Sequence, residues 1–481
     1  MMDVYKSGRK NRFICGVDAI KIAKQYGTPL YIFFEEILQD NYSQFKIALD
    51  KYYPNHLICY AVKANTTFAV IKLLADLGSG ADVASEYELK IALDAGIPKE
   101  LIRANGNCKS EIYLRECISR GIIINVDPEG ELEIIDELSK DMGMEAKINL
   151  RLAGFPLRNI TSSAITTSSE WSKFGIDIKR AVDVFKKVQS LDHLAPNGLM
   201  VHLGSQITDV TAYHLVLNEM IRLAWLAKEA GIGIEEIDLG GGYGISYFEK
   251  DEWETIRSRI ANTNHETFTW GNEMIGYNRN MEWASEELYS PLNASEFIQS
   301  ILSKGYSGSE LFKDKLKDLG SPRLVIEPGR SLVGSAQVTM ARVCNVGRTP
   351  GGHDLVHVNA GVNHHSMSII IPEQIHRMEV ANKIDSQDGF EAFVAGNLCF
   401  TGDLLCKIKG RLNTKPTRGD YLMLYDTGAY SDFFASNTNA FPRPVRVLVD
   451  RAGRDRLLVK KEDFEGIFQR DSDWMRSKSD L

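Results

Sequence analysis

Short apolar runs recur along the first two thirds of the chain, and the stretches between them carry apolar residues at helical spacing. The runs predict strands at Leu57–Val62, Ala81–Ala84, Leu101–Ala104, Ile122–Val126, Ala146–Leu152, Gly198–His202, Glu236–Leu239 and Arg323–Glu327. The segment Ser85-Glu86-Tyr87-Glu88-Leu89-Lys90-Ile91-Ala92-Leu93 shows the intervening pattern, opened by a serine suited to an N-cap. Eight strands alternating with helices predict an α/β fold, a (β/α)8 TIM barrel rather than an open sheet. The C-terminal ends of barrel strands share one face, and active sites form there. Lys63, Asp82, Arg151, His202, Gly240 and Glu327 all fall at or just after such ends, so residues far apart in sequence are expected to converge.

After Arg330 the pattern changes to short strands with Gly and Pro turns, at Gln337–Val343, Leu355–Val358, Tyr421–Tyr425 and Val445–Val449. The expected organisation is therefore a barrel over 40–330 and a C-terminal β-domain over 331–481, with residues 1–39 packing against the latter. Between the seventh and eighth strands lies a stretch, 247–322, much longer than a barrel connection needs. It is rich in aromatics (Trp253, Trp270, Tyr277, Trp283, Tyr289) and reads as an insertion. Leaving from the active-site face, it is expected to touch substrate or a partner subunit; the plainer alternative is a surface element packed on itself.

Composition narrows the function classes. The 481 residues are 44% hydrophobic and 25% charged, with a net charge of −8. That supports a large core and argues against nucleic acid, whose phosphates need clustered Lys and Arg. The N-terminus has no apolar leader and no apolar run approaches membrane-spanning length, so a cytoplasmic protein with no membrane partner is expected. Seven dispersed cysteines without a CxxC pair fit reduced thiols, and no metal site is expected, since His364 and His365 are adjacent and diverge on any regular element.

Lys63 is the leading chemical candidate. A lysine delivered by a buried strand loses hydration, which frees a neutral amine for Schiff-base chemistry. Many strands end on a solvated lysine, so the weight comes from its company: His202-Leu203-Gly204-Ser205-Gln206, Asp238-Leu239-Gly240-Gly241-Gly242-Tyr243-Gly244, Glu327-Pro328-Gly329-Arg330, Cys399 to Asp403, and Gly428-Ala429-Tyr430. One lysine, a phosphate-type glycine loop and a buried acid suggest a pyridoxal 5'-phosphate site.

In their order these motifs, together with Tyr60–Asn65, Asp82–Ser85 and Ser172–Ile176, resemble the fold-type III pyridoxal phosphate decarboxylases. The resemblance is strongest to diaminopimelate decarboxylases, with ornithine and arginine decarboxylases as cousins, and runs from about Thr28 to Val449. It implies the alanine racemase-like fold, a barrel followed by a β-sandwich or β-barrel domain, and a homodimer with sites at the interface. By position it makes Lys63 the covalent attachment and a general acid or base, and Glu327 the partner that keeps the pyridine nitrogen protonated. It lays His202 flat on the ring and sets Asp82 and Arg151 near the lysine and ring hydroxyl. Gly240, Gly241 and Gly242 offer backbone N–H groups to the phosphate, with Ser205, Gly329, Arg330 and Tyr430 beside them. Cys399, from the partner subunit, faces the reacting carbon and can deliver a proton.

Two departures concern the substrate. The family usually follows that cysteine with Glu or Asp, which pairs with a distal ammonium; here Phe400 stands there. Burying an unpaired ammonium costs several kcal/mol, and cation–π attraction returns only about 0.5–2 kcal/mol. The segment that in diaminopimelate enzymes holds an arginine reads Asn359-Ala360-Gly361-Val362-Asn363-His364-His365-Ser366-Met367, with no arginine. Phe400, Asp403, His364 and His365 are thus the candidate substrate residues. The form resembles decarboxylases acting on conjugated amino acids in siderophore and natural-product pathways. The alternatives are a true diaminopimelate or other diamino-acid decarboxylase and, of another class, a non-catalytic partner-binding homologue.

Overall fold

The computed structural model describes residues 13–156, 167–168, 172–262, 270, 287–305, 310–365, 375–386, 388–432 and 435–469. The chain divides into two compact units: 38–246 with 285–334, and 1–37 with 247–284 and 335–481.

The first unit is a closed parallel barrel of eight strands. In chain order these are β1 (His56–Ala61), β2 (Gly80–Val83), β3 (Ile102–Ala104), β4 (Ile123–Val126), β5 (Ala146–Ala153), β6 (Leu194–Met200), β7 (Glu236–Asp238) and β8 (Arg323–Ile326). Each pairs with the next, β8 pairs with β1, and every pairing is parallel. The strands are buried along nearly their whole length because helices cover the outside, so they read as apolar runs rather than alternating ones. Local signals start those helices: the Ser85 hydroxyl accepts from Glu88 N–H at 3.2 Å while the Glu88 carboxylate accepts from Ala84 N–H at 2.7 Å. Ser110 caps the next helix at Tyr113 N–H in the same way.

The expected insertion over 247–322 divides. Helices Ala294–Leu302 and Phe312–Asp318 pack against the long helix Val210–Glu229 and belong to the barrel's own outer layer. The helix Lys250–Asn262 and Trp270 belong to the second unit. There Trp270 meets the Phe393 ring at 5.2 Å, Tyr247 meets His376 at 5.3 Å, and Arg259 pairs with Glu391 at 2.5 Å. These side chains are engaged by residues of the same unit. Tyr277 and Trp283 lie outside the described residues.

The second unit is built on a nine-stranded, mostly antiparallel sheet. Its centre mixes both ends of the sequence: Leu30–Phe34 pairs antiparallel with Gln337–Arg348 and parallel with Val445–Val449. Leu30–Phe34 and Val445–Val449 are buried at every position, as central strands should be.

Candidate active site

Six of the sequence-predicted residues sit on one face of the barrel. Lys63 lies in a single helical turn, Val62–Ala64, directly after β1. Its amine is 2.5 Å from Asp82 Oδ2, a carboxylate buried on β2. The expectation of an amine stripped of water needs correcting, because 34% of the lysine side chain is exposed and an acid, rather than apolar surroundings, holds the amine. A strand end opens towards solvent just where the strand's interior does not.

Glu327, directly after β8, is buried. Its Oε1 accepts from Asn105 Nδ2 at 2.8 Å, and its Oε2 has no hydrogen-bond partner among the described residues. Burial, with Asp238 and Asp82 nearby, pushes the carboxyl well above the usual range, while Lys63 and the Asn105 N–H pull the other way. A buried acid with one oxygen unmet suits a cationic N–H, the form a pyridine nitrogen takes on protonation. His202, after β6, has its Nδ1 likewise without a partner among the described residues. Burial, then the charges of Lys63 and Arg151, push its pKa well below that of a free imidazole, so the ring is neutral and can lie against an aromatic plane.

The glycine turn after β7 is demanded by crowding. A Cβ on Gly240 would strike the Val201 carbonyl, one on Gly241 the Glu327 carbonyl, and one on Gly242, whose φ is +100°, would come within 2.6 Å of the Gly204 carbonyl. The turn is pinned by Tyr213 Oη donating to Gly241 O at 2.7 Å and Ile207 N–H donating to Gly242 O at 2.8 Å. Gly240 N–H donates to Asp238 Oδ1 at 2.8 Å, so of the three amides expected to face a phosphate that one is already engaged. Next to the turn, Arg330 Nε and Nη2 lie 3.2 and 3.1 Å from Ser205 Oγ. Gly329 turns the chain from Glu327 into the short helix Arg330–Val333 that carries this buried guanidinium. A buried cation, a hydroxyl and a turn without side chains make a place for an anion.

Arg151, on β5, pairs with Asp127 at 2.7 Å and lies over the Phe174 ring at 4.4 Å. Asp127 also accepts from Gly175 N–H at 2.5 Å, so this acid links β5 to the Ser172–Ile176 segment.

Sequence reasoning missed a set of buried polar side chains around these residues. Asn105, Asn125, Asn149, Asn197, Arg103 and Glu236 are all buried inside the barrel unit. The available signal was a polar residue inside an apolar strand, as in Ile124-Asn125-Val126 and Ile148-Asn149-Leu150. Such residues need partners, and inside a barrel the partners are one another.

The remaining candidates belong to the second unit. Tyr430 holds a left-handed backbone, φ +61°, which is strained for a bulky residue and recurs at functional sites. Cys399 and Phe400 stand on an exposed turn, with Phe400 57% exposed. Asp403 does not face outwards: it is buried, and its two oxygens accept from Val362 and Leu398 N–H, each at 2.7 Å. Side chains on Gly361 or Gly396 would collide with that carboxylate. His364 and His365 are buried too, and burial pushes both imidazoles down to about 4. His364 Nδ1 accepts from Gly361 N–H at 3.1 Å, and His365 packs edge-on to His376 with ring centroids 4.4 Å apart. All three side chains are buried, Asp403 and His364 bonded to backbone N–H groups and His365 packed on the His376 ring.

Residues 38–275 match the family model described as the pyridoxal-binding domain of pyridoxal-dependent decarboxylases. The chain is 30% identical over 458 residues to the diaminopimelate decarboxylase of Aquifex aeolicus, covering 95% of this chain and 94% of that one. It is 30% identical over 483 residues to the Bacillus subtilis diaminopimelate decarboxylase, covering 98% of each. The crystal structure of the Methanocaldococcus jannaschii diaminopimelate decarboxylase in co-complex with L-lysine superposes with a TM-score of 0.77 at 29% identity, over 96% of this chain and 95% of that one. With barrel and sheet both matched over nearly their full length, the chain belongs to the fold-type III pyridoxal-dependent decarboxylases, carboxy-lyases that work with pyridoxal 5'-phosphate.

Proposed function

We propose that the enzyme removes the α-carboxylate of an amino acid whose distal end is modified or conjugated, in a specialised pathway such as siderophore or natural-product assembly. The observation that carries this reading is Phe400. An exposed phenyl group follows Cys399 where an acid would pair with a free distal ammonium. The absence of arginine from 359–367 points the same way, since a free distal carboxylate has no guanidinium there.

The barrel residues support the chemistry. When bound, pyridoxal phosphate supplies an electron sink for the pair left on the α-carbon as carbon dioxide departs. Lys63 binds it covalently and afterwards moves a proton at Nζ, with Asp82 setting the amine's orientation. Glu327 Oε2 holds the proton on the pyridine nitrogen. Neutral His202 would support the cofactor ring, and Arg151 would contribute positive charge to the site. Arg330, Ser205, Gly241, Gly242 and Gly329 would bind the phosphate; Tyr430 matches a family position with the same role. Cys399, supplied by a second copy in a homodimer, delivers the proton that replaces the carboxylate. A cytoplasmic setting accords with this reading; among the described residues no helix is long and apolar enough to cross a membrane.

A second reading is a diamino-acid decarboxylase proper, favoured by the printed names of the relatives. Carbon dioxide release from lysine, ornithine, arginine, the diaminopimelate isomers and one conjugated amino acid separates the two. Turnover of the conjugate, with silence on every free amino acid, is the expected result. Rapid release from meso-diaminopimelate overturns it in favour of the second reading.

A further inference from the structure

Inside the barrel four asparagines form a chain of amide hydrogen bonds that runs one way. Asn197 Nδ2 donates to Asn149 Oδ1 at 2.9 Å, Asn149 Nδ2 to Asn125 Oδ1 at 3.0 Å, and Asn125 Nδ2 to Asn105 Oδ1 at 3.0 Å. The chain ends on two acids: Asn105 Nδ2 donates to Asp82 Oδ1 at 2.6 Å and to Glu327 Oε1 at 2.8 Å. Asp82 is the acid on Lys63, and Glu327 is the acid with an unmet oxygen. One amide therefore joins two barrel acids that stand 245 positions apart in the sequence, residues 82 and 327.

The direction of the chain is set from its far end. Arg103 grips the Glu236 carboxylate, with Nε at 2.7 Å from Oε1 and a second contact from Nη2 to Oε2. An ionised carboxylate can only accept, so Asn149, 2.9 Å from Glu236 Oε1, must turn its NH2 towards it. Its second N–H then falls on the Asn125 oxygen, which turns the Asn125 NH2 onto the Asn105 oxygen. Asn105 is left with both N–H bonds pointing at Asp82 and Glu327. Had it flipped, its oxygen would face two carboxylates.

We propose that Asn105 is a positioning residue of this decarboxylase, holding Asp82 and Glu327 in fixed relation so that the lysine and the pyridine nitrogen are served together. The inference rests on the roles given above to Lys63 and Glu327. Without the amide, Asp82 loses the bond that sets it relative to Glu327, and the Glu327 carboxyl loses a donor that opposes the upward push of burial.

The test uses the full-length, pyridoxal phosphate-loaded enzyme carrying Asn105→Leu, with Glu327→Gln in parallel. With unfolding at pH 8 as the check on folding, kcat should fall about tenfold to hundredfold while KM stays within about threefold. The acid limb of kcat/KM should move up by about one pH unit. Independently of activity, the pH at which acidification strips the cofactor, followed by its visible absorbance, should rise by a similar amount. A side chain that merely fills space would move neither pH midpoint. If both midpoints stay put in folded Asn105→Leu while Glu327→Gln is impaired, the role of Asn105 is refuted and that of Glu327 stands. If Glu327→Gln is itself silent, the assignment of Glu327 falls and this inference with it. Should Asn105→Leu not fold, the isosteric Asn105→Asp carries the same test, with a shift in the same direction expected and an unmoved midpoint fatal.

Discussion

The barrel face around Lys63 and the turn around Cys399 are built in opposite ways. On the barrel, Lys63, Asp82, Asn105 and Glu327 are linked side chain to side chain, and the bonds continue through Asn125 and Asn149 to Glu236. On the turn, the backbone is held, by Asp403 gripping Val362 and Leu398 and by Asn439 Oδ1 accepting from Cys399 N–H at 2.8 Å, while the residues Cys399 and Phe400 stand exposed. A buried polar network cannot change one member without stranding another. An exposed side chain above a fixed base can be exchanged freely. The proposed cofactor residues sit where substitution is costly, and Phe400, on which the proposed change of substrate rests, sits where it is cheap.

Four measurements break or sharpen that contrast. The largest effect is expected from Lys63→Ala, which should lower carbon dioxide release roughly 10⁴-fold or more and abolish the visible band of the bound cofactor. Retention of the band would remove Lys63 from the centre of the barrel network. Next, Asp403→Ala strands two buried N–H groups and should destabilise the fold by about 2–4 kcal/mol in urea unfolding, with the cofactor band at pH 8 unchanged. A normal unfolding midpoint would show that the turn's base is not held as described.

The third measurement is a pH dependence. His364 and His365 are held down to about 4 in the folded chain, against an unfolded value near 6.5. The unfolded state therefore binds more protons in this window, and the stability from the neutral folded imidazoles is full above pH 6.5. It is lost as pH falls from about 6.5 towards about 4, and between pH 7 and 5.5 the loss should be about 1–3 kcal/mol. Urea midpoints at the two pH values measure it, and His365→Phe should flatten the slope; an equal slope in that variant counts against the buried, neutral assignment. The smallest effect is Phe400→Glu, expected to raise turnover of free diamino acids by about threefold to tenfold. Unchanged rates would mean that the missing acid is not what excludes them.

Much of the fold was legible because barrel strands are continuous apolar runs between amphipathic helices. Val445–Val449 is observed with the predicted bounds, and Ala146–Leu152 is extended by one residue to Ala153. The sixth strand begins at Leu194 rather than Gly198, since Pro196 and Asn197 interrupt its apolar run, and its register shifts at that point. The stretch 247–322 read as one insertion because sequence spacing cannot tell an outer barrel helix such as Ala294–Leu302 from an added one.

What the sequence by itself determined is the local chemistry: a lysine, an acid, a glycine turn and an arginine, each at the end of its own strand. Their kinds and order along the chain are enough to name the cofactor. The tertiary structure decided what each of them touches. It gave Lys63 an acid instead of apolar walls, engaged the Gly240 amide with Asp238, and turned Asp403, His364 and His365 inward. It also joined Asp82 to Glu327 through Asn105. The reason is physical: a strand's side-chain pattern follows from the order of its residues, but a hydrogen bond between strands exists only once the barrel has closed and brought distant residues within 3 Å.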